Sequence, residues 1–131
     1  MTPKQLSRVR LVQAIYRWQL GGEDYIEIEK EYLSKTKKED NFSKLYFSSI
    51  FIPLIENQKK LEKKIKPFLD RKISELGFIE KSILLLATFE LLYKKEIPPR
   101  VVINEAIEIS KEYGADNSYK FINNILDNFI K

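Results

Sequence analysis

The sequence contains no cysteine and no histidine. Their absence excludes a disulfide framework, zinc fingers, imidazole metal ligands and Ser-His or Cys-His catalytic pairs. Glycine occurs only at positions 21, 22, 77 and 114, so no glycine-rich phosphate cradle can be written. Four glycines and five prolines also supply too little turn chemistry for a many-stranded β-fold. No apolar stretch resembles a signal peptide. The most apolar run, residues 83–93, contains Glu90 and falls far short of the roughly 20 residues a membrane span needs. Chemistry is left to carboxylates, lysine, arginine and hydroxyls. That combination points away from an enzyme, a cofactor or a metal site, and a cytoplasmic location is expected.

What is present suits one compact domain covering residues 1–131. The 44% of hydrophobic residues can build a core without crosslinks, and the 32% of charged residues keep it in water. The net charge of +4 is unevenly placed: residues 1–20 hold Lys4, Arg8, Arg10 and Arg17 and no acid. A basic amino-terminal element on a neutral body suggests a local footprint for a polyanion. A second cluster, Lys59, Lys60, Lys63, Lys64 and Lys66, reads as a solubilising surface.

Helical punctuation recurs along the chain. Thr2-Pro3-Lys4-Gln5 forms a capping box with proline at the first helical position, and the helix it opens should stop at Gly21-Gly22. Asp24 with Glu27 predicts a second, short helix to about Leu33, and the polar stretch 34–41 predicts a surface loop. Asn41 or Ser43 opens a longer helix carrying Leu45, Phe47, Ile50, Phe51 and Leu54, which Pro53 should kink or divide. Leu61 and Ile65 continue the apolar pattern. Residues 79–93 are apolar almost all round, as in a central buried helix. Val102, Ala106, Ile109 and Tyr113 make the stripe of the next helix, which Gly114 closes. Ile122, Ile125, Leu126, Phe129 and Ile130 make that of the last, opened by Asn117 or Ser118. The expected fold is all-α, with six or seven helices.

Few constellations carry chemistry. Glu105, Glu108 and Glu112 form a solvated helix face, because a di-metal carboxylate site needs histidines that are missing. Glu90 interrupts an apolar helix and should be paired with a cation or cap a neighbour. Tyr16 and Trp18 flank the apolar stripe of the first helix. Around the last helix start, Tyr113, Asn117, Ser118, Tyr119, Lys120 and Phe121 set aromatic faces beside amide, hydroxyl and ammonium groups. Such a mixture suits splayed single-stranded bases, which stack and then hydrogen-bond on their edges.

Four segments together resemble one family. They are Val12-Gln13-Ala14-Ile15-Tyr16-Arg17-Trp18-Gln19-Leu20, Leu76-Gly77-Phe78-Ile79-Glu80-Lys81-Ser82-Ile83-Leu84, Val102-Ile103-Asn104-Glu105-Ala106-Ile107-Glu108-Ile109-Ser110-Lys111 and Ser118-Tyr119-Lys120-Phe121-Ile122-Asn123-Asn124-Ile125-Leu126-Asp127. In this order they are similar to the signature segments of NusB, the bacterial transcription antitermination factor, over nearly the whole chain. The resemblance implies two small helical-bundle subdomains, at approximately residues 1–56 and 57–131. It implies binding to boxA RNA, a single-stranded element of nascent ribosomal-RNA transcripts, together with the ribosomal protein NusE. The pair would then join NusA, NusG and RNA polymerase to suppress premature termination. On this chain the RNA-contacting positions map to Lys4 and Arg8, then to Tyr113, Asn117, Tyr119, Lys120 and Phe121. The NusE-facing positions map to Tyr16 and Glu80. Where the family often carries adjacent arginines this chain has Lys4-Gln5-Leu6, and Tyr119 stands where histidine is frequent. Two other classes stay open: an accessory RNA-binding module of a ribosomal-RNA methyltransferase, if the sequence is a fragment, and a helical scaffold that binds protein alone.

Overall fold

The computed structural model describes residues 1–34 and 40–131. Most of the loop expected at 34–41 therefore lies outside the described residues. These form seven α-helices and three short 3₁₀ turns, with no strand among them. The all-α expectation holds. The helices gather into two compact units, residues 1–56 and 57–131.

The first unit holds α1 (Pro3–Gln19), α2 (Tyr25–Leu33) and α3 (Lys44–Glu56). Thr2 and Gln5 make the reciprocal capping box at the start of α1, with Thr2 Oγ1 accepting from the Gln5 amide at 3.1 Å. Gly21 and Gly22 follow the helix at φ of +83° and +88°, a region open to glycine at little cost. The Asp24 carboxylate accepts from the Ile26 amide and caps α2. Both α1 and α2 pack on α3. Phe47, wholly buried, stacks between Tyr32 and Phe51 at 5.2 and 5.5 Å and meets the edge of Phe42. A buried aromatic of this kind contributes about 1.5–3 kcal/mol.

Ser7 is the hinge pin of this unit. It is completely buried, donates from Oγ to the Ser43 carbonyl at 2.8 Å and accepts from the Ser43 amide at 2.7 Å. Ser43 in turn caps α3 through its own hydroxyl, which accepts from the Tyr46 amide. One small hydroxyl thus fixes where α3 begins against α1.

One expectation for α3 is narrowed and another corrected. Of the two outcomes open to Pro53, division is excluded, since the helix runs unbroken to Glu56. Leu45 is not core: it is 82% exposed, and Tyr46 turns inward in its place. Phe47, Ile50, Phe51 and Leu54 are all buried as the apolar pattern suggests; Leu45 lies on the opposite side of the helix from them, and Tyr46, four residues before Ile50, lies on their side.

The second unit holds α4 (Gln58–Ile65), α5 (Phe78–Tyr93), α6 (Pro99–Tyr113) and α7 (Ser118–Leu126). Helix α5 packs against all three others and is buried continuously from Ser82 to Glu90. That is the central helix the sequence predicts. Glu90 is only 2% exposed, as expected of an acid inside an apolar helix that has found partners. The stripe of α6 buries Val102, Ala106 and Ile109, but Tyr113 is 44% exposed and leaves the core. Phe68, in the turn after α4, meets the edge of Phe129 at 5.4 Å and ties the carboxyl terminus to this unit.

Candidate nucleic-acid interface

The four basic residues of the first twenty meet different fates. Arg10 bonds Asp40 at 2.9 Å. Arg17 takes Glu23 with two nitrogens, at 2.7 and 2.6 Å, and also reaches Glu31. These bonds hold the Glu23 carboxyl below the usual carboxylate range and push the Arg17 guanidinium up. Neither arginine is spare charge. Lys4 and Arg8, four residues apart on α1, converge on one ring, with Lys4 Nζ 5.0 Å and Arg8 Cζ 5.7 Å from the centre of Tyr46. Arg8 is 4% exposed and Tyr46 9%, so the guanidinium is largely a packing element, while Lys4 stays in solvent. The unpaired charge of the amino-terminal footprint is smaller than the sequence suggests.

The second group lies where α6 gives way to α7. Asn117 sits at φ +69° and ψ 2°, in the left-handed region, and is the one non-glycine residue with positive φ among those described. Asparagine tolerates this conformation better than most residues. The twist reverses the chain between the helices. It also leaves the Asn117 side chain exposed and outside the cap, since no side-chain bond from it reaches the α7 amides. The expectation that Asn117 or Ser118 caps α7 is corrected in part. Asn117 holds the position through its backbone, and Ser118 turns its hydroxyl elsewhere.

That hydroxyl donates to Glu80 Oε2 at 2.6 Å. Glu80 stands in the first turn of α5, and its other oxygen lies so close over Gly77 that a Cβ there would collide with it. Glu80 therefore joins the starts of α5 and α7. An open cleft of about 290 Å³ lies beside this contact, lined among others by Arg71, Glu80, Asn117 and Phe121. Arg71 Cζ covers one face of the half-buried Phe121 ring at 4.8 Å, so that ring offers less free surface than its sequence position suggests.

Tyr119 is half-buried, with Lys111 Nζ 5.1 Å and Lys120 Nζ 5.9 Å from its ring centre. Lys120 is exposed, as are Tyr113 and Lys111, the last also 3.9 Å from Glu108. Tyr16 is half-exposed on α1. Sequence reasoning missed Lys111, Arg71 and Tyr46. Lys111 is eight residues and one helix away from Tyr119, and Arg71 fifty residues from Phe121. No local spacing links such pairs, and only the fold does.

Among the described residues no helix is long and apolar enough to cross a membrane, and no cluster of acidic side chains could hold a metal ion. The chain is 43% identical to the transcription antitermination protein NusB of Proteus mirabilis, over 97% of this chain and 93% of that one. The NusB structure from T. maritima superimposes with a TM-score of 0.86 at 34% identity, covering 98% of this chain and 90% of the other. A crystal structure of the antitermination factors NusB and NusE in complex with double-stranded RNA shares the fold. Its TM-score is 0.76 at 24% identity, covering 95% and 93%. The activity named for these relatives is transcription antitermination, which is not enzymatic. The NusB family profile matches residues 5–131, and the chain belongs to the NusB family.

Proposed function

We propose that this protein is a transcription antitermination factor, binding boxA-type single-stranded RNA of nascent ribosomal-RNA transcripts together with NusE. The pair works in the cytoplasm with NusA, NusG and RNA polymerase to suppress premature termination. The observation that carries the RNA reading is the α6–α7 junction. There an exposed asparagine amide, free of capping duty, stands two residues from a tyrosine ring flanked by Lys111 and Lys120. Stacking on Tyr119 and Tyr113 supplies affinity for any base, and the Asn117 amide offers a donor and an acceptor to a base edge. Lys4 and Lys120 neutralise phosphates, which positions a strand without reading it. Arg8 supports Lys4 from beneath by holding the Tyr46 ring. Phe121 contributes through its open face. Family membership supports the antitermination reading, and the solved complex of a structural relative with NusE and double-stranded RNA supports NusE and RNA as partners.

Tyr16 and Glu80 are proposed to face NusE. Glu80 also holds Ser118, so its replacement reaches the RNA segment as well, and Tyr16→Ala is the cleaner probe of the partner surface. The test is binding of the purified protein, alone and with its own NusE, to a boxA-like strand, a scrambled strand and a boxA-like duplex. The single boxA-like strand should bind most tightly, and more tightly still with NusE. Equal binding to all three in both conditions contradicts the proposal.

A further inference from the structure

Building on that reading, we infer that the RNA footprint of the second unit continues past the start of α7, across Arg71 and onto the lysine face of α4. Residues 57–72 carry seven basic side chains against two acidic ones. Both acids are already engaged: Asp70 by Arg71 at 2.8 Å, and Glu62 by Lys81 at 3.5 Å and by Gln58. Lys59, Lys60, Lys63, Lys64 and Lys66 are exposed, and none has an acidic partner among the described residues. The cluster is therefore net positive where it meets solvent, not a lattice of surface ion pairs.

Concavity links this face to the α6–α7 junction. The cleft beside Asn117 and Phe121 shares Arg71 with a second open cleft, of about 770 Å³, along residues 66–75. That one shares Lys66 with a third, of about 530 Å³, bordered by Lys59, Lys60 and Lys63. The three clefts overlap at Arg71 and Lys66; acids line them too, Glu80 and Asp116 the first, Asp70 and Glu75 the second, and Glu62 the third, so the excess of positive charge is concentrated at the α4 end. At that end Lys60 Nζ lies 5.6 Å from the ring centre of Tyr93, itself 41% exposed, so an aromatic face is again set beside ammonium groups. Exposed lysines beside an exposed ring are what an extended single strand uses, its phosphates on the ammonium groups and a base on the ring. A membrane surface fits poorly, because the apolar residues of α4, Leu61 and Ile65, are buried in the core and leave no face to insert.

The test compares the wild-type protein with a K59Q/K63Q/K66Q variant on a boxA-like strand of about 6 nucleotides and one extended to about 16. Affinity is measured from low to high salt. The variant should match wild type on the short strand. On the long strand it should lose affinity on the order of tenfold at low salt, with a log–log salt slope shallower by about 2, as three lost phosphate contacts dictate. Equal long-strand slopes and affinities, with the short strand still bound, would overturn this inference and leave the proposed function standing. Failure of wild type to bind the short strand would defeat the proposed function itself. Loss of binding to phosphatidylserine vesicles, with the long-strand slope unchanged, would assign the face to membranes and overturn the inference as well.

Discussion

Each unit contains a tyrosine ring approached by two cations, yet the two groupings do opposite work. In the first, Tyr46 is buried beneath Lys4 and Arg8, and the guanidinium is buried with it. In the second, Tyr119 is only half-buried, with Lys111 and Lys120 near its ring. The chemistry is the same and the burial is not. A cation over a desolvated ring holds structure, whereas over an accessible ring it leaves a face for a base and a charge for its phosphate. The neighbouring arginines follow suit: Arg10 and Arg17 are bound to carboxylates of their own unit, while the α4 lysines are not. Among the described residues, two of the first unit's three arginines are bound to carboxylates, whereas the lysine cluster of α4 is presented to solvent.

The comparison is sharpest when both rings are removed. Tyr46→Ala should cost about 3–5 kcal/mol of folding stability in urea denaturation, the range for truncating a large buried aromatic. Tyr119→Ala should cost less than about 1 kcal/mol. On RNA the order reverses. Tyr119→Ala should lose about 1–3 kcal/mol of affinity in fluorescence anisotropy, as one lost stack would. If Tyr119→Ala unfolds the protein as readily as Tyr46→Ala, the distinction between the groupings collapses.

Asn117 needs two substitutions because it has two roles. Asn117→Ala removes the amide and also strains a left-handed backbone, at about 1–2 kcal/mol of stability. Asn117→Gly removes the amide without that strain. Both should narrow the gap between boxA-like and scrambled strands, and only the alanine should lower the melting temperature.

The smallest effect concerns an acid of the first unit. Burial pushes the Glu29 carboxyl above the ordinary value of 4.5, and its Oε2 has no hydrogen-bond partner among the described residues. The folded state therefore holds that proton more tightly than the unfolded chain, and ionised Glu29 opposes folding at neutral pH. Glu29→Gln should raise the melting temperature slightly at pH 7. The gain should vanish as pH falls below 4.5, where the carboxyl is protonated in both states. A gain independent of pH would assign the effect to packing instead.

Much of the fold was legible because it rests on local rules. The Thr2–Gln5 box, the Gly21-Gly22 stop, the Asp24 cap and the apolar span of α5 are each written within one or two turns of chain. The errors lie where distant residues decide. Leu45 is the exception, since the period of Phe47, Ile50, Phe51 and Leu54 already puts it on the outer side and Tyr46, four residues before Ile50, on the inner one. Residue types at the candidate site were legible in the same way, since Tyr113, Asn117, Tyr119 and Lys120 are neighbours in sequence. Their surroundings were not. The lysine over Tyr119, the arginine over Phe121 and the Glu80–Ser118 bond all come from other elements. Arg8 is the reverse case: its basic spacing is visible in sequence, and its burial is not.

The central claim is that sequence preference resides in the α6–α7 junction and not in the basic first helix. It is tested most directly by the ratio of affinities for boxA-like and scrambled strands, measured for wild type, Asn117→Gly and Lys4→Ala at one salt concentration. Asn117→Gly should bring the ratio toward one, and Lys4→Ala should weaken both strands about equally and leave the ratio unchanged. A ratio abolished by Lys4→Ala and untouched by Asn117→Gly would contradict the account.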